Sequence, residues 1–545
     1  MSNNGKKKDL IQFPVTRKIT NSIIVFYRNH SKIIIDVLVM LVLFGLGIWF
    51  RHWLHYWFEE NIGRIFYLKI SNKNFSSKIG QFLGLPNGYE LPWEGYFDWT
   101  YYYVPYIDNF LRGWNPYSGS KTPGDPLGGY VYGPFYIYFI SIPAWLFNVN
   151  AQESAVWSNI VFDSAIISMV YLIVRTKEGF WTSLFAASLY FFSPVVLFYS
   201  VVRVLNMPQV TFFIMLYFYL LITDHDDSSL IALVIAILTK QIALFLIGPA
   251  VVYWYKKYGP IRGTSFPFLT LIYLIIGSYP WIAINYYSYL VRIFGPGKGK
   301  SSLHLPKAGE SVTLAESFLY LNYPNFAEKV RIALNSFGNL GLMLIISAIT
   351  GWLIFFGYQQ LKRDLAFHSQ IYLFFLMGAH AVMARGIYKY YDPIFIPFLI
   401  LSLIISPPKA EKNEEENTSK KISKDIPTRT YYKTKKVLTP KKQLIEVLKP
   451  YFSIDQTHEN VLIFIKNVSV FGIFFFLNER ILDINRFLHP LLLFVYTIMI
   501  FFFIDNVIWK NTMKEAKIFI LSVVKNSYYF FKGVFISIKI KKNDT

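Results

Sequence analysis

The chain has 545 residues, of which 54% are hydrophobic, 19% aromatic and only 16% charged. Soluble domains carry about 25% charged residues and disordered chains far fewer apolar ones, so both classes are excluded. Lysine and arginine number 54 against 33 acidic residues, a formal charge of +21. These cations gather in the N-terminal arm, in short loops and in one tail, where positive-inside placement and anionic headgroups account for them better than nucleic acid does. The absence of cysteine excludes disulfides, thiolate chemistry, Cys-ligated zinc and iron–sulfur clusters. The composition and its clustering into long apolar blocks describe an all-α polytopic membrane protein.

In chain order, residues 1–32 form a basic arm carrying Lys6, Lys7, Lys8, Arg17, Lys18 and Arg28, expected in the cytoplasm. The apolar run 33–50 is long enough to cross a bilayer and is followed by no small-residue cleavage site, so it reads as an uncleaved first span. Residues of about 51–130 mix Trp, Tyr, Pro, Gly and charges and are expected to form a long external loop lying against the membrane. The sequon Asn74-Phe75-Ser76 agrees with that placement. Apolar blocks follow at 130–148, 155–174, 182–201, 208–222, 229–255, 266–290, 337–358, 371–383 and 393–405, with a second long loop at about 291–336. Lys362 and Arg363 mark a cytoplasmic turn, and residues 407–458 form a charged cytoplasmic linker. Two more blocks, 461–477 and 491–508, lie in a C-terminal region, 459–545, to which no role is assigned. The blocks predict a bundle of about 11–13 transmembrane helices.

Two arrangements are open. If block 130–148 crosses, Lys256 and Lys257 fall inside and the 291–336 loop outside, but Arg175 and Lys177 fall outside as well. If it lies in the first external loop, Arg175 and Lys177 become cytoplasmic, and block 229–255 has to split into two short helices near Lys240. At ~1.5 Å per residue that block is long for one crossing.

Soluble-enzyme motifs are missing: there is no phosphate-binding Gly-rich loop ending in Lys-Ser/Thr, no His-Glu-x-x-His and no Gly-x-Ser-x-Gly, and the 9 histidines are scattered. Asp224, Asp226 and Asp227 flank His225 in what reads as a solvated turn, and Asp125 follows a Pro-Gly turn. The informative stretch runs from Trp93 to Tyr138, where Glu94 and Asp98 stand four residues apart among Trp and Tyr, with Asp108 and Arg112 beyond. On a helix the first two share a face. Carboxylates among rings at a membrane surface suit sugar recognition; capping of an interfacial helix by Asp98 and a plain aromatic belt are the structural alternative.

The order Asp98, tyrosines, Phe110, Gly113, Asn115-Pro116-Tyr117 and then Tyr132-Gly133-Pro134-Phe135-Tyr136 resembles the first-loop signature of the GT-C superfamily, membrane glycosyltransferases that use polyprenyl- or dolichyl-phosphate sugars. Ala236 to Gln241, followed by Pro249, is similar to a Lys-containing span of these enzymes, and the segment from Arg385 to Pro397 to their late basic-Tyr-Pro segment. The chain departs from the pattern in reading Gly-Pro for Pro-Pro at 133–134, and in having Arg203, Asn206 and Gln209 after Ser193-Pro194, where many members place an Asp in the second external loop. The likeness covers about residues 30–405.

The resemblance implies a GT-C-like module over 33–406 that moves a hexose, such as mannose, from a polyprenyl-phosphate donor to a glycan, lipid or protein acceptor, with inversion, at the extracytoplasmic face of the plasma membrane. Asp98 is then the general base, and Glu94 or Asp108 orients the acceptor. The phosphate requires cations near the membrane: Lys240 inside an apolar block, Arg385 and Lys389 four residues apart, and Arg203. Tyr102, with Trp99, Tyr101 and Tyr103, is expected to be shared between a sugar-stacking wall and an aromatic belt. No cofactor is expected; a divalent ion, Mg or Mn, finds no support in the sequence. Membrane lipids are expected partners and nucleic acid is not. A transporter or flippase for a lipid-linked substrate and a non-catalytic transferase-like subunit are the competing readings.

Overall fold

The computed structural model describes residues 14–58, 102–117, 130–294, 312–384, 386, 389–405, 488–505 and 508, with the backbone alone at 14–31 and 389–390. Glu94, Asp98, the sequon at 74–76, Asp125, Arg385, the linker 407–458 and block 461–477 lie outside these residues. Every regular element among the described residues is helical. Among the described residues four helices are long and apolar enough to cross a membrane, Lys32–Phe58, Ala151–Arg175, Gln241–Ile293 and Pro324–Arg363, and a fifth is reached if the pair Phe180–Phe191 and Pro194–Val202, bent by 41°, counts as one span. The described residues are thus all-α, with helices of membrane-crossing length and composition. Among the described residues fewer helices reach that length than there are apolar blocks, because the chain breaks several blocks into short pieces such as Pro134–Phe147 and Pro208–Ile222.

Helix α1 (Pro14–Phe58) is followed by a short α2 (Val104–Leu111) and by α3 (Pro134–Phe147), which starts with Pro at its first position and ends at Asn148 in the left-handed region. Helix α4 (Ala151–Arg175) is capped by Asn150, whose side chain accepts from Glu153 N at 2.8 Å, and carries Arg175 in its last turn, where a cation meets the negative end of the helix dipole. Helices α1 and α4 run antiparallel. Arg175 Nε and Tyr171 OH donate to Asp36 Oδ1 at 2.9 and 2.7 Å, while Arg51, further along α1, pairs with Asp163, nearer the start of α4. Helix α5 (Phe180–Phe191) returns along α1, its Phe191 stacked 5.2 Å from Phe50. A π-turn, Leu197–Val202, follows, and Val201 O meets His55 Nδ1 at 2.9 Å.

Helix α6 (Pro208–Ile222) descends beside α4, and α7 (Asp226–Thr239) rises antiparallel to it as far as Lys240. Lys240 is extended, with φ −151° and ψ 134°, so the helix stops there. A 3-10 turn, Gln241–Leu246, leads into α8 (Ile247–Phe294), which brings Lys257 back down to Asp224 and Asp226, 2.6 Å from each. Block 229–255 is therefore a hairpin with Lys240 at its tip. Asp226 is buried against Lys257 and Tyr258, which corrects the reading of this segment as a wholly solvated turn. Gly259, at φ +79°, reverses α8, and a Cβ on Gly263 would stand 2.5 Å from Tyr255 Cα, so the two arms touch through their backbones.

After α9 (Leu314–Tyr320), closed by a Thr313–Glu316 capping box, α10 (Pro324–Arg363) turns at Gly338 and descends along the first arm of α8: Ser347 Oγ donates to Phe245 O at 2.6 Å, and Lys256 lies over Phe355. Helix α11 (Leu365–Ala381), capped by Asp364, rises to a 3-10 turn, Lys389–Ile394, and α12 (Ile396–Ile404) descends again. Arg175, Lys257 and Lys362 thus stand at the end of the bundle where α1 begins, and Lys240 and Arg203 at the other. A last helix, α13 (His489–Asp505), packs on α11: Phe501 lies 5.8 Å from Phe374, and Leu493, Ile504 and Ile508 are buried in the main core.

Candidate functional site

The motif residues of the first loop form a clasp. Gly113 takes φ +80°, and Asn115 Oδ1 accepts from Tyr117 N at 2.9 Å, which closes the Asn-Pro-Tyr turn as an Asx-turn. Tyr117 OH donates to Tyr132 O at 2.9 Å, and Tyr130 OH to Gly133 O at 2.9 Å. Burial pushes both phenols well above their ordinary pKa, so they act as neutral donors. Their rings join Tyr103, Tyr106, Tyr136, Trp281 and Tyr289 in a cluster of edge-to-face contacts, such as Tyr117 to Tyr289 at 5.0 Å.

This clasp is fastened to the tip of the α7–α8 hairpin. A Cβ on Gly133 would stand 2.0 Å from Leu238 O, so backbone meets backbone where the sequence reads Gly-Pro in place of Pro-Pro. Gln241 Nε2 donates to Val131 O. On one side of this junction is an apolar cavity of about 170 Å³ lined by Pro134, Ile237, Leu238, Gln241, Leu274 and Tyr289, among others. On the other is a smaller, more polar pocket of about 50 Å³, lined by Lys240, Gln241, Asn339, His380, Met383 and Tyr391, among others. Gln241 belongs to both.

Lys240 is half-buried. Its Nζ donates to Asn206 Oδ1 at 2.9 Å, approaches Met207 Sδ at 3.5 Å and lies 4.8 Å from the centre of the Tyr391 ring. A buried amide network holds the chain on either side of Asn206. Asn159 Nδ2 donates to Ser200 O and Leu205 O at 3.0 and 2.9 Å, and Gln209 Nε2 donates to Asn159 Oδ1 and Ser158 Oγ at 2.8 and 3.0 Å. The ring of His380 lies 5.2 Å from that of Tyr391, and its Nδ1 donates to Leu376 O at 2.6 Å. Asp392, next in sequence to Tyr391, stands 3.1 Å from His489 Nε2.

Of the residues picked out in the sequence, Lys240 is in this pocket, and Lys389 opens the 3-10 turn that presents Tyr391 to it. Arg203 follows the π-turn three residues before Asn206 and lies over Phe198 and Tyr199, at 5.5 and 5.9 Å. Tyr102 stacks on Tyr106, and Asp108 sits in α2; both belong to the clasp side and neither lines the Lys240 pocket. Tyr103 is fully buried, a core residue rather than a sugar wall. Glu94, Asp98 and Arg385 lie outside the described residues. Asn206, His380, Tyr391, Asp392 and His489 were not singled out as site residues; a polar residue within an apolar run was the available signal for His380. Among the described residues no group of three His, Asp or Glu is placed to hold a metal ion. Comparison with protein-family models, curated proteins and solved structures finds no match to this chain.

Proposed function

We propose that the chain is a membrane glycosyltransferase that takes a hexose from a polyprenyl phosphate and transfers it, with inversion, to an acceptor hydroxyl on the extracytoplasmic face. The observation that carries this reading is the Lys240 break, which sets an ammonium in a small pocket next to an apolar cavity, Gln241 lining both. An isoprenyl phosphate pairs the same two chemistries, a hydrocarbon tail and an anionic head. A lysine drawn into a helical bundle is costly and is kept where it has a task.

The leaving group is already a phosphate, so its departure calls for cationic stabilisation more than for a proton donor, and one carboxylate base suffices. In this reading Lys240 takes the phosphate oxygens, assisted by Arg385 and Lys389 from the segment leading into Tyr391. Asp98, assigned from the sequence resemblance, removes the acceptor proton, and Glu94 orients the acceptor. The gathering of Arg175, Lys257 and Lys362 at the end where α1 begins supports a cytoplasmic location for that end, with the Lys240 pocket facing the exterior.

The test uses the full chain in proteoliposomes with a radiolabelled mannosyl polyprenyl phosphate. Transfer to acceptor without net flux of the donor, abolished by Lys240→Met in a protein that stays monodisperse, is the expected result. Flux without transfer would make the chain a carrier, and neither would make it a non-catalytic subunit.

A further inference from the structure

We infer that Asn159 and Asn206 are positioning residues for Lys240: Asn159 clamps a strained turn at Val204, and that turn carries the amide that aims the Lys240 ammonium without adding a countercharge. The inference rests on the reading of the Lys240 pocket as a phosphate site. It begins with Val204, which follows the π-turn by two residues and takes φ +51°. A β-branched side chain crowds its own backbone in the left-handed region, so such a residue stays there only where its surroundings dictate it. Val204 is buried, and bonds on both sides of it supply the constraint. Arg203 N donates to Phe198 O at 2.9 Å, and Leu205 N to Tyr199 O at 3.0 Å. Asn159, on α4, donates to Ser200 O and to Leu205 O, at 3.0 and 2.9 Å, and so bridges the two sides of Val204. Its Oδ1 accepts from Gln209 Nε2 at 2.8 Å, in the first turn of α6. The nitrogen and the oxygen of one buried amide are thus spent on holding residues 200–209.

Asn206 is the apex of a tighter turn inside this frame. Met207 N donates to Leu205 O at 2.9 Å, which closes three residues, and Leu205 O is the same carbonyl that Asn159 holds. The Asn206 side chain is buried, and its Oδ1 accepts from Lys240 Nζ at 2.9 Å. Lysine carries a compact charge on a flexible stem, so the groups that meet the ammonium decide where it stands. Here they include Asn206 Oδ1, Met207 Sδ at 3.5 Å and the Tyr391 ring. The first two belong to the turn that Asn159 holds. An amide oxygen gives direction and no charge. Asp224 and Asp226 against Lys257, and Asp163 against Arg51, show the other arrangement, in which a carboxylate offsets the cation. At position 206 a carboxylate would compete with a phosphate for the same ammonium.

The experiment uses the full chain in nanodiscs, with farnesyl phosphate as the binding probe, for Asn206→Leu, Asn206→Asp, Asn159→Leu, Lys240→Met and Asn159→Leu combined with Lys240→Met. Asn159→Leu is expected to raise the Kd by about tenfold in the natural background, the scale of a buried hydrogen bond left unmade. In the Lys240→Met background it should add less than about twofold, because its influence passes through the ammonium. A merely structural asparagine would weaken binding by the same factor in both backgrounds; that result overturns the inference, as does an unchanged Kd. Asn206→Leu should raise the Kd by about tenfold and Asn206→Asp by about a hundredfold, since the latter sets a like charge beside the anion. An Asn206→Asp protein that binds as well as Asn206→Leu, or better, denies the neutral amide its role and overturns the inference too. If Asn159→Leu does not give a monodisperse protein, Asn159→Ser, shorter but still polar, takes its place in the same cycle with the same outcomes. Binding that ignores Lys240→Met overturns the inference together with the phosphate reading, whereas binding that needs Lys240 but ignores Asn159 and Asn206 overturns the inference alone. A natural chain that binds the probe through Lys240, with the expected coupling to Asn159, yet transfers no sugar from mannosyl polyprenyl phosphate removes the glycosyltransferase reading and supports the positioning role.

Discussion

Arg51 and Lys240 are both cations drawn into the helical bundle, and they are held in opposite ways. Arg51 is fully buried on an unbroken helix, paired with Asp163, which also accepts from Tyr190 OH at 2.7 Å. Charge, countercharge and hydroxyl lie on three helices that pass one another, and the group ties α1, α4 and α5 together. Lys240 is half-buried on a residue where the helix stops, with an amide and an aromatic ring against it and a small pocket beside it. A buried charge matched by its opposite within continuous helices holds a fold. A charge at a break beside open volume is available to a ligand.

That contrast can be tested at both poles. The largest effect is expected from Asp98→Asn, which should lower transfer by about 10³-fold, within the range for loss of a general base, while leaving membrane insertion intact. A fully active variant, in a radiolabelled transfer assay, would remove the first loop from the chemistry. Arg51→Ala should act on stability instead, costing about 3 kcal/mol because it strands Asp163 without its partner, and Arg51→Met combined with Asp163→Leu should recover most of the loss. Thermal melting of the purified proteins measures both; equal melting of single and double variants would deny the pair its structural role. Lys240→Met should invert this profile, lowering transfer by about 10²-fold with little change in melting. Gly133→Ala, whose new methyl meets Leu238 O, should cost about 2 kcal/mol and disturb transfer through the adjoining break. Tyr117→Phe, which deletes the hydroxyl donated to Tyr132 O, should cost about 1 kcal/mol and leave transfer nearly unchanged.

Lys240 was legible in the sequence because a charge interrupts an apolar run. Asp163 gives the same signal within block 155–174, yet as a carboxylate without a partner nearby in the sequence it does not reveal that Arg51, more than a hundred residues away, neutralises it. The alternative in which block 229–255 splits was readable from its length; the direction of the second half was not, since it depends on Lys257 finding Asp224 and Asp226. The tyrosines of the first loop looked like a recognition surface, because rings that stack on sugars and rings that stack on one another have the same composition. Burial decides for Tyr103, Tyr106, Tyr117 and Tyr130, which lie in a core. Gly133 stood out as a departure from a Pro-Pro box; its cause is a carbonyl supplied by a helix about a hundred residues later.

The proximity of Asp392 and His489 has a bearing on biosynthesis. A ribosome adds about 5–20 residues per second, so on the order of ten seconds separate the emergence of these two side chains. Throughout that interval the nascent polypeptide has Lys240 and Tyr391 already made while the helix that packs on α11 is still to come. Quality control that recognises loosely packed intermediates would have its longest opportunity there, and a message truncated before codon 489 would yield a product lacking this helix.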